Sequence, residues 1–317
     1  MEKIVDNNFD VTFEFPSKPV PKTFGQFLYD HQTGQYMGRT LKNWGQLGLF
    51  YLVFYIGLAI GFAICMQGLL AVLNDQYPRY QLSDSIIGTN PGLGFRPFAE
   101  QVEKSGFIHF EANNETQTNY WINRINDFLE PYNNHSLLPG GGKNHVNCDF
   151  NQRAKNRNVC TFDLTRLEGC SVENGFGYKS SSPCVFIKLN RIYGWVPEYY
   201  DDVNALPAEM PADLVEHIKS LPEGHRKQVW MTCNGISPSD NEALGPVSYF
   251  PNRGLPSHYF PYTNQPSYLS PLVAVQFERP TAQRIIDIEC RAWAKNINYV
   301  GRDRDRQGST TFSILVD

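Results

Sequence analysis

A basic surplus is missing from this 317-residue sequence: 28 Lys and Arg face 32 Asp and Glu, for a net charge of −4. That balance argues against nucleic acid as a main partner, because phosphate backbones are bound through concentrated positive charge. No period runs through the 25 glycines and 21 prolines, and 14% of residues are aromatic. A collagen-like, low-complexity or globally disordered chain is therefore excluded. The seven histidines form no His-Glu-x-x-His and no helical ligand pair, so no zinc site and no cofactor is expected. No Gly-x-Ser-x-Gly elbow occurs. Gly140-Gly141-Gly142-Lys143 lacks the leading glycine of a phosphate loop and is followed by Asn144 where Ser or Thr would hold magnesium; it reads as a flexible loop. Two further absences carry more weight: cysteine is missing before Cys65, and there is only one long apolar run.

That run is uncharged from Asn43 to Asn74 and almost wholly apolar from Leu47 to Leu73. As a helix, Leu47–Leu73 reaches about 40 Å against a hydrocarbon core of roughly 30 Å, enough to span with tilt. A cleavable signal would be shorter and nearer the N-terminus. The expectation is a single-pass protein: a tail over 1–46, a signal-anchor helix over 47–73 and one domain over 74–317. The tail carries five basic and five acidic side chains, so the whole surplus of −4 lies after the span. Pro16, Pro19 and Pro21 break any long helix in the tail, which is not expected to fold as a domain.

Orientation follows from what lies on each side. Arg39 and Lys42 before the span against Arg79 after it give a weak positive-inside signal. The sequons Asn114-Glu115-Thr116 and Asn134-His135-Ser136 both follow the span, which makes Asn114 and Asn134 candidate glycosylation sites. Six of the seven cysteines also follow it, which suggests an oxidising compartment there. The N-terminus is read as cytoplasmic and the C-terminus as extracellular.

Residues 74–317 read mainly as strands. Val159–Leu164, Pro183–Asn190, Val229–Asn234, Leu272–Glu278, Arg284–Ala294 and Thr310–Val316 are short and rich in Val, Ile and Phe between turn residues. Helices are expected over Thr118–Pro131, ended by Pro131, and over Ala212–Leu221. The fold class is a single transmembrane α-helix plus a mainly-β, immunoglobulin-like antiparallel sandwich with one or two helices. Cys148, Cys160, Cys170, Cys184, Cys233 and Cys290 allow fifteen pairings. Sequential pairing is the simplest, and the long pair has a tryptophan three residues from each end, Trp230 and Trp293, a distant likeness to the bridge and tryptophan of immunoglobulin domains.

The span also has a patterned surface. Gly57, Gly61 and Gly68 share a helical face with Phe50 and Phe54, and Tyr51, Tyr55 and Phe62 adjoin it. Gly57-x-x-x-Gly61 permits close backbone approach, so the helix is expected to dock on protein within the lipid bilayer.

Phe24-Gly25-Gln26-Phe27-Leu28-Tyr29-Asp30, then Met37-Gly38-Arg39-Thr40 and Trp44, resembles the cytoplasmic signature of P-type Na+/K+- and H+/K+-ATPase β subunits. The likeness continues through Phe50–Tyr55, through Asp149-Phe150-Asn151, Cys160 and Cys170-Ser171, and through Pro183–Arg191. It resumes in Tyr259–Tyr262, in Tyr268–Phe277 and in Ile288–Ala294. The resemblance implies a non-catalytic subunit that stabilises a catalytic α chain, escorts it to the plasma membrane and tunes its potassium affinity. Tyr51 and Tyr55 would then face the α chain's membrane helices, and Tyr259, Tyr262 and Tyr268 its extracellular loops, with core packing an equal alternative for that aromatic segment. A small single-span regulatory subunit would be a further partner. The alternatives are an H+/K+-type β subunit, a self-sufficient adhesion glycoprotein and a type II glycosyltransferase. The last would use Asp303-Arg304-Asp305, which reads better as a solvated hairpin loop.

Overall fold

The computed structural model describes residues 23–31, 33–101, 106–155, 157–300 and 307–317. Pro16, Pro19, Pro21 and Asp303-Arg304-Asp305 lie outside the described residues. The chain divides after Leu73 into two units, each with its own architecture.

The first unit opens with a short helix α1 (Phe24–Leu28) and a two-stranded hairpin, β1 (Tyr29–Asp30) and β2 (Gln35–Tyr36), in which Tyr29 pairs with Tyr36. Their rings lie 4.6 Å apart. A second helix, α2, runs from Leu41 to Ala71, starting ahead of the apolar run because nothing between Thr40 and Leu47 breaks it. The indole Nε1 of Trp44 donates to the carbonyl of Tyr36 at 2.8 Å, and the Arg39 guanidinium lies 5.9 Å from the Trp44 ring. Residues 23–31 and 33–40, just before this helix, thus have local order. No residue of α2 is buried, and apolar side chains cover every face of it, the pattern of a helix whose solvent is lipid or protein.

The second unit contains β3 (Leu93–Arg96), β4 (Phe107–Phe110), α3 (Glu115–Asn133), β5 (His145–Val146), β6 (Val159–Cys160) and β7 (Cys184–Leu189). These are followed by α4 (Ala212–Ser220), β8 (Gln228–Gly235), α5 (Pro238–Leu244), β9 (Val247–Phe250), β10 (Gly254–Pro256), β11 (Leu272–Phe277), β12 (Ile286–Trp293) and β13 (Ser309–Val316). A parallel pair, β5 with β6, stands apart from two larger sheets in the orders β10-β8-β12-β13-β4 and β3-β7-β11-β9. All neighbours in them are antiparallel except β13 and β4. This is the mainly-β sandwich expected from the strand pattern.

Alternation explains the layers. In β12 the side chains of Ile286, Ile288, Cys290 and Ala292 are buried in the large core, while Asp287, Glu289 and Arg291 face the other way. In β7, Val185 and Ile187 join that core and Phe186 turns to the opposite face, where it meets Phe128 of α3. Helix α3 packs through Trp121, Ile122, Ile125, Leu129 and Tyr132, and α4 covers Trp230 and Trp293 with Leu214 and Ile218.

Three expectations need correction. Pro131 does not end α3, which continues to Asn133. The Tyr132 hydroxyl donates to the carbonyl of Ser270 at 2.8 Å, and this buried anchor holds the last turn despite the missing N–H. Val159–Leu164 is a strand only at Val159–Cys160, because Asp163 then accepts from the backbone N–H and the hydroxyl of Thr165 and starts a 3-10 turn over Leu164–Cys170. Finally, Cys233 and Cys290 are cross-strand partners within one sheet, as are Trp230 and Trp293. Three residues along a strand reverses the face, so the tryptophans pack on the far side of the sheet from the bridge, unlike those of an immunoglobulin domain.

Candidate docking surfaces

Along α2 the aromatic side chains stack at helical spacing: Phe50 over Phe54 at 6.3 Å and Tyr51 over Tyr55 at 6.1 Å between centroids. A Cβ built at Gly57, Gly61 or Gly68 meets nothing within 4 Å. The result is a ridge of four rings beside a strip without side chains, all of it exposed. Cys65, also on this helix, is a free thiol.

The aromatic segment Tyr259–Leu269 is built differently. Tyr268 and Leu269 are buried, and Tyr259 is half-buried against the core. The Tyr259 hydroxyl donates to the carbonyl of Thr161 at 3.1 Å, and that of Tyr268 to the carbonyl of Tyr259 at 3.3 Å. Burial pushes both phenols well above their ordinary range. Arg191 clamps the segment: its Nε donates to Ser270 Oγ at 3.0 Å, its Nη2 to the Tyr268 carbonyl at 3.2 Å, and it lies over both Tyr262 and Tyr268. Tyr259 and Tyr268 therefore pack inward, whereas Tyr262, half-buried and outside the core cluster, has its hydroxyl 3.2 Å from Asn264 Oδ1.

Three disulfides join Cys148 to Cys160, Cys170 to Cys184 and Cys233 to Cys290. Asn114 caps α3: its Oδ1 accepts from the N–H groups of Thr116 and Gln117. Asn134 Oδ1 accepts from Ser136 in the same way. Each sequon asparagine thus uses its oxygen locally, and among the described residues its amide nitrogen meets no acceptor. Gly140, Gly141 and Gly142 all take up left-handed backbone in a tight turn, open at Gly140 and Gly141, whose last glycine lies against His135 with no room for a Cβ.

A cleft of about 510 Å³ is lined by Asp149, Phe150, Asp163, Arg166, His258 and Tyr259, among others. Burial holds the His258 imidazole down at about 4, against the pull of Asp149, so it is neutral at pH 7. Among the described residues no group of three His, Cys, Asp or Glu is placed to hold a metal.

A family model described as the sodium/potassium ATPase beta chain matches residues 16–312. The chain is 48% identical over 305 residues to the sodium/potassium-transporting ATPase subunit beta-1 of Drosophila melanogaster, covering 96% of each chain. It is 42% identical to subunit beta-2 of the same organism, over 95% of this chain and 94% of the relative. To the human subunit beta-2 it is 30% identical, over 94% and 95%.

Proposed function

The chain belongs to the sodium/potassium ATPase beta chain family, and from that premise we propose that it is the non-catalytic β subunit of a Na+/K+-transporting pump. It stabilises the catalytic α chain, accompanies it to the plasma membrane and modulates its potassium affinity. Residues 1–46 lie in the cytoplasm, α2 crosses the bilayer, and residues 74–317 form a glycosylated domain outside.

The observation that carries this reading is α2. A helix with no buried residue, a ring ridge at Phe50, Tyr51, Phe54 and Tyr55, and open space at Gly57 and Gly61 is a surface that lacks its counterpart. Small residues let a partner helix approach, and the rings fill the groove beside it. On the outer side, Tyr262 is the member of the aromatic trio available to the pump's extracellular loops.

Affinity capture of the full-length chain from native membranes tests the reading. A co-eluting P-type ATPase chain whose hydrolysis requires both Na+ and K+ is expected; dependence on K+ without Na+ would instead assign the H+/K+ type. Gly61→Leu should lower recovery of that chain severalfold, whereas Leu69→Ala should leave it near the wild-type level. Equal recovery with both variants would sink the assignment of the glycine face.

A further inference from the structure

The outer face of the four-stranded sheet, beside α3, gathers positive charge in a chain that is acidic overall. Register sets Gly94 opposite Lys188, with Arg96 two residues on and therefore on the same face. A Cβ at Gly94 would come within 3.7 Å of Lys188 Cε, so the glycine leaves the space over which the lysine stem lies. Arg96 stacks on Phe98 at 4.0 Å and donates through Nη1 to the Phe95 carbonyl. Arg124 of α3 donates through Nε to the Phe98 carbonyl. Arg191 is fixed by Ser270 and Tyr268 as described above.

Rings, carbonyls and a hydroxyl hold the three arginines in place. Among the described residues the ion pairs involve His109, Arg253, Arg291 and Lys295, and none reaches Arg96, Arg124, Lys188 or Arg191. Burial and then Arg124 lower the pKa of Arg96; burial and then Arg96 and Arg191 lower that of Lys188. Each cation thus stands in the field of the next, an arrangement that is unfavourable by itself and relieved by an anion. Among the described residues, hydrogen-bonding capacity remains on the Lys188 ammonium and on those Nη groups of Arg124, Arg96 and Arg191 that meet no acceptor.

We propose that the row Arg124–Arg96–Lys188–Arg191 is a binding surface for a linear sulfated polyanion. Guanidinium forks match two oxygens of a tetrahedral oxyanion, and a row of cations from α3, β3, β7 and the segment just after β7 suits successive anionic groups on one chain better than a single ion. The choice of sulfate over phosphate esters rests on the extracellular placement proposed above; the binding test does not depend on that placement.

The full-length protein, purified in complex with its pump partner, is titrated with a heparin octasaccharide at physiological ionic strength. Saturable binding that weakens as salt rises is expected. Lys188→Gln combined with Arg124→Gln should weaken it about tenfold, the loss of two partly exposed charge contacts. Lys188→Arg should preserve it, and Lys219→Gln on α4 should have no effect. Thermal unfolding of each variant separates lost binding from lost fold, and if the double variant unfolds early, Lys188→Gln alone is the reading. The proposal is overturned by absence of binding, by equal affinity in the charge variants, by equal affinity for hyaluronate of the same length, or by displacement with inorganic sulfate at matched sulfate equivalents.

Discussion

Burial keeps His258 neutral, with its pKa pushed down to about 4 from 6.5; Asp149 opposes the shift, while Arg153 and Arg166 add to it. Its ring is wedged against Tyr259 at 4.4 Å and Phe150 at 5.7 Å, so a charged form would lose water without gaining a bonded counter-ion. The unfolded chain takes up the proton first, near pH 6.5, and the folded chain only near 4. Stability therefore rises with pH across that window and falls as the medium is acidified through it. Burial lowers His145 and His217 as well, which adds to the same trend. Melting temperature measured against pH should be level above about 6.5 and decline toward 4. His258→Gln should make that decline shallower. An unchanged slope in the variant would show that this imidazole is not a main contributor.

At the scale of elements, α3 tests whether a sequon can also be a helix cap. Asn114 Oδ1 accepts from Thr116 and Gln117 while its amide nitrogen makes no bond among the described residues, so capping and glycosylation use different atoms. Asn114→Asp and Asn114→Gln both abolish the glycan, but only the aspartate keeps an oxygen at capping distance. The glutamine variant should be less stable than the aspartate variant by about 1 kcal/mol, or roughly 2–4 °C in melting temperature for a unit of this size. Identical melting of the two would remove the cap from the account. Much of α3 was legible in the sequence because Ile122, Ile125 and Leu129 recur at helical spacing, a local property. Pro131 was misread because Tyr132 is anchored by Ser270, far away in the chain. The short edge strands β3, β9 and β10 carry too few residues to show an alternation, and Cys233 and Trp230 were grouped although three positions put them on opposite faces. The ring ridge of α2 could be drawn from spacing alone. The inward packing of Tyr259 and Tyr268 could not, since Thr161 and Arg191 decide it, and the Arg96–Lys188 neighbourhood exists only once strand register is known.

For the molecule as a whole, all three bridges lie in the unit that follows the span, but they do not hold equivalent places. Cys170, Cys184, Cys233 and Cys290 are at most 1% exposed and belong to the core between and around the sheets. Cys160 is buried as well, whereas Cys148 is only half-buried and lines the cleft beside His258. Thiol–disulfide exchange requires a thiolate to reach a sulfur, so access should set the order of reduction. Cys148–Cys160 is expected to open first under mild reductant in the native protein, and the other two only when the sandwich unfolds. The first step releases a loop of sequence separation 12, whose closure is worth about 3 kcal/mol in the chain-entropy model. Only the small β5–β6 pair adjoins this bridge, and the five- and four-stranded sheets are held by pairings and cores that it does not cross, so most strand content should persist while the melting temperature falls. Timed alkylation with peptide mass spectrometry reads the order, and circular dichroism reads the fold. Labelling of Cys233 or Cys290 before Cys148, or collapse of strand content with the first bridge, would show that the sandwich depends on its outermost tie and not on its buried layers.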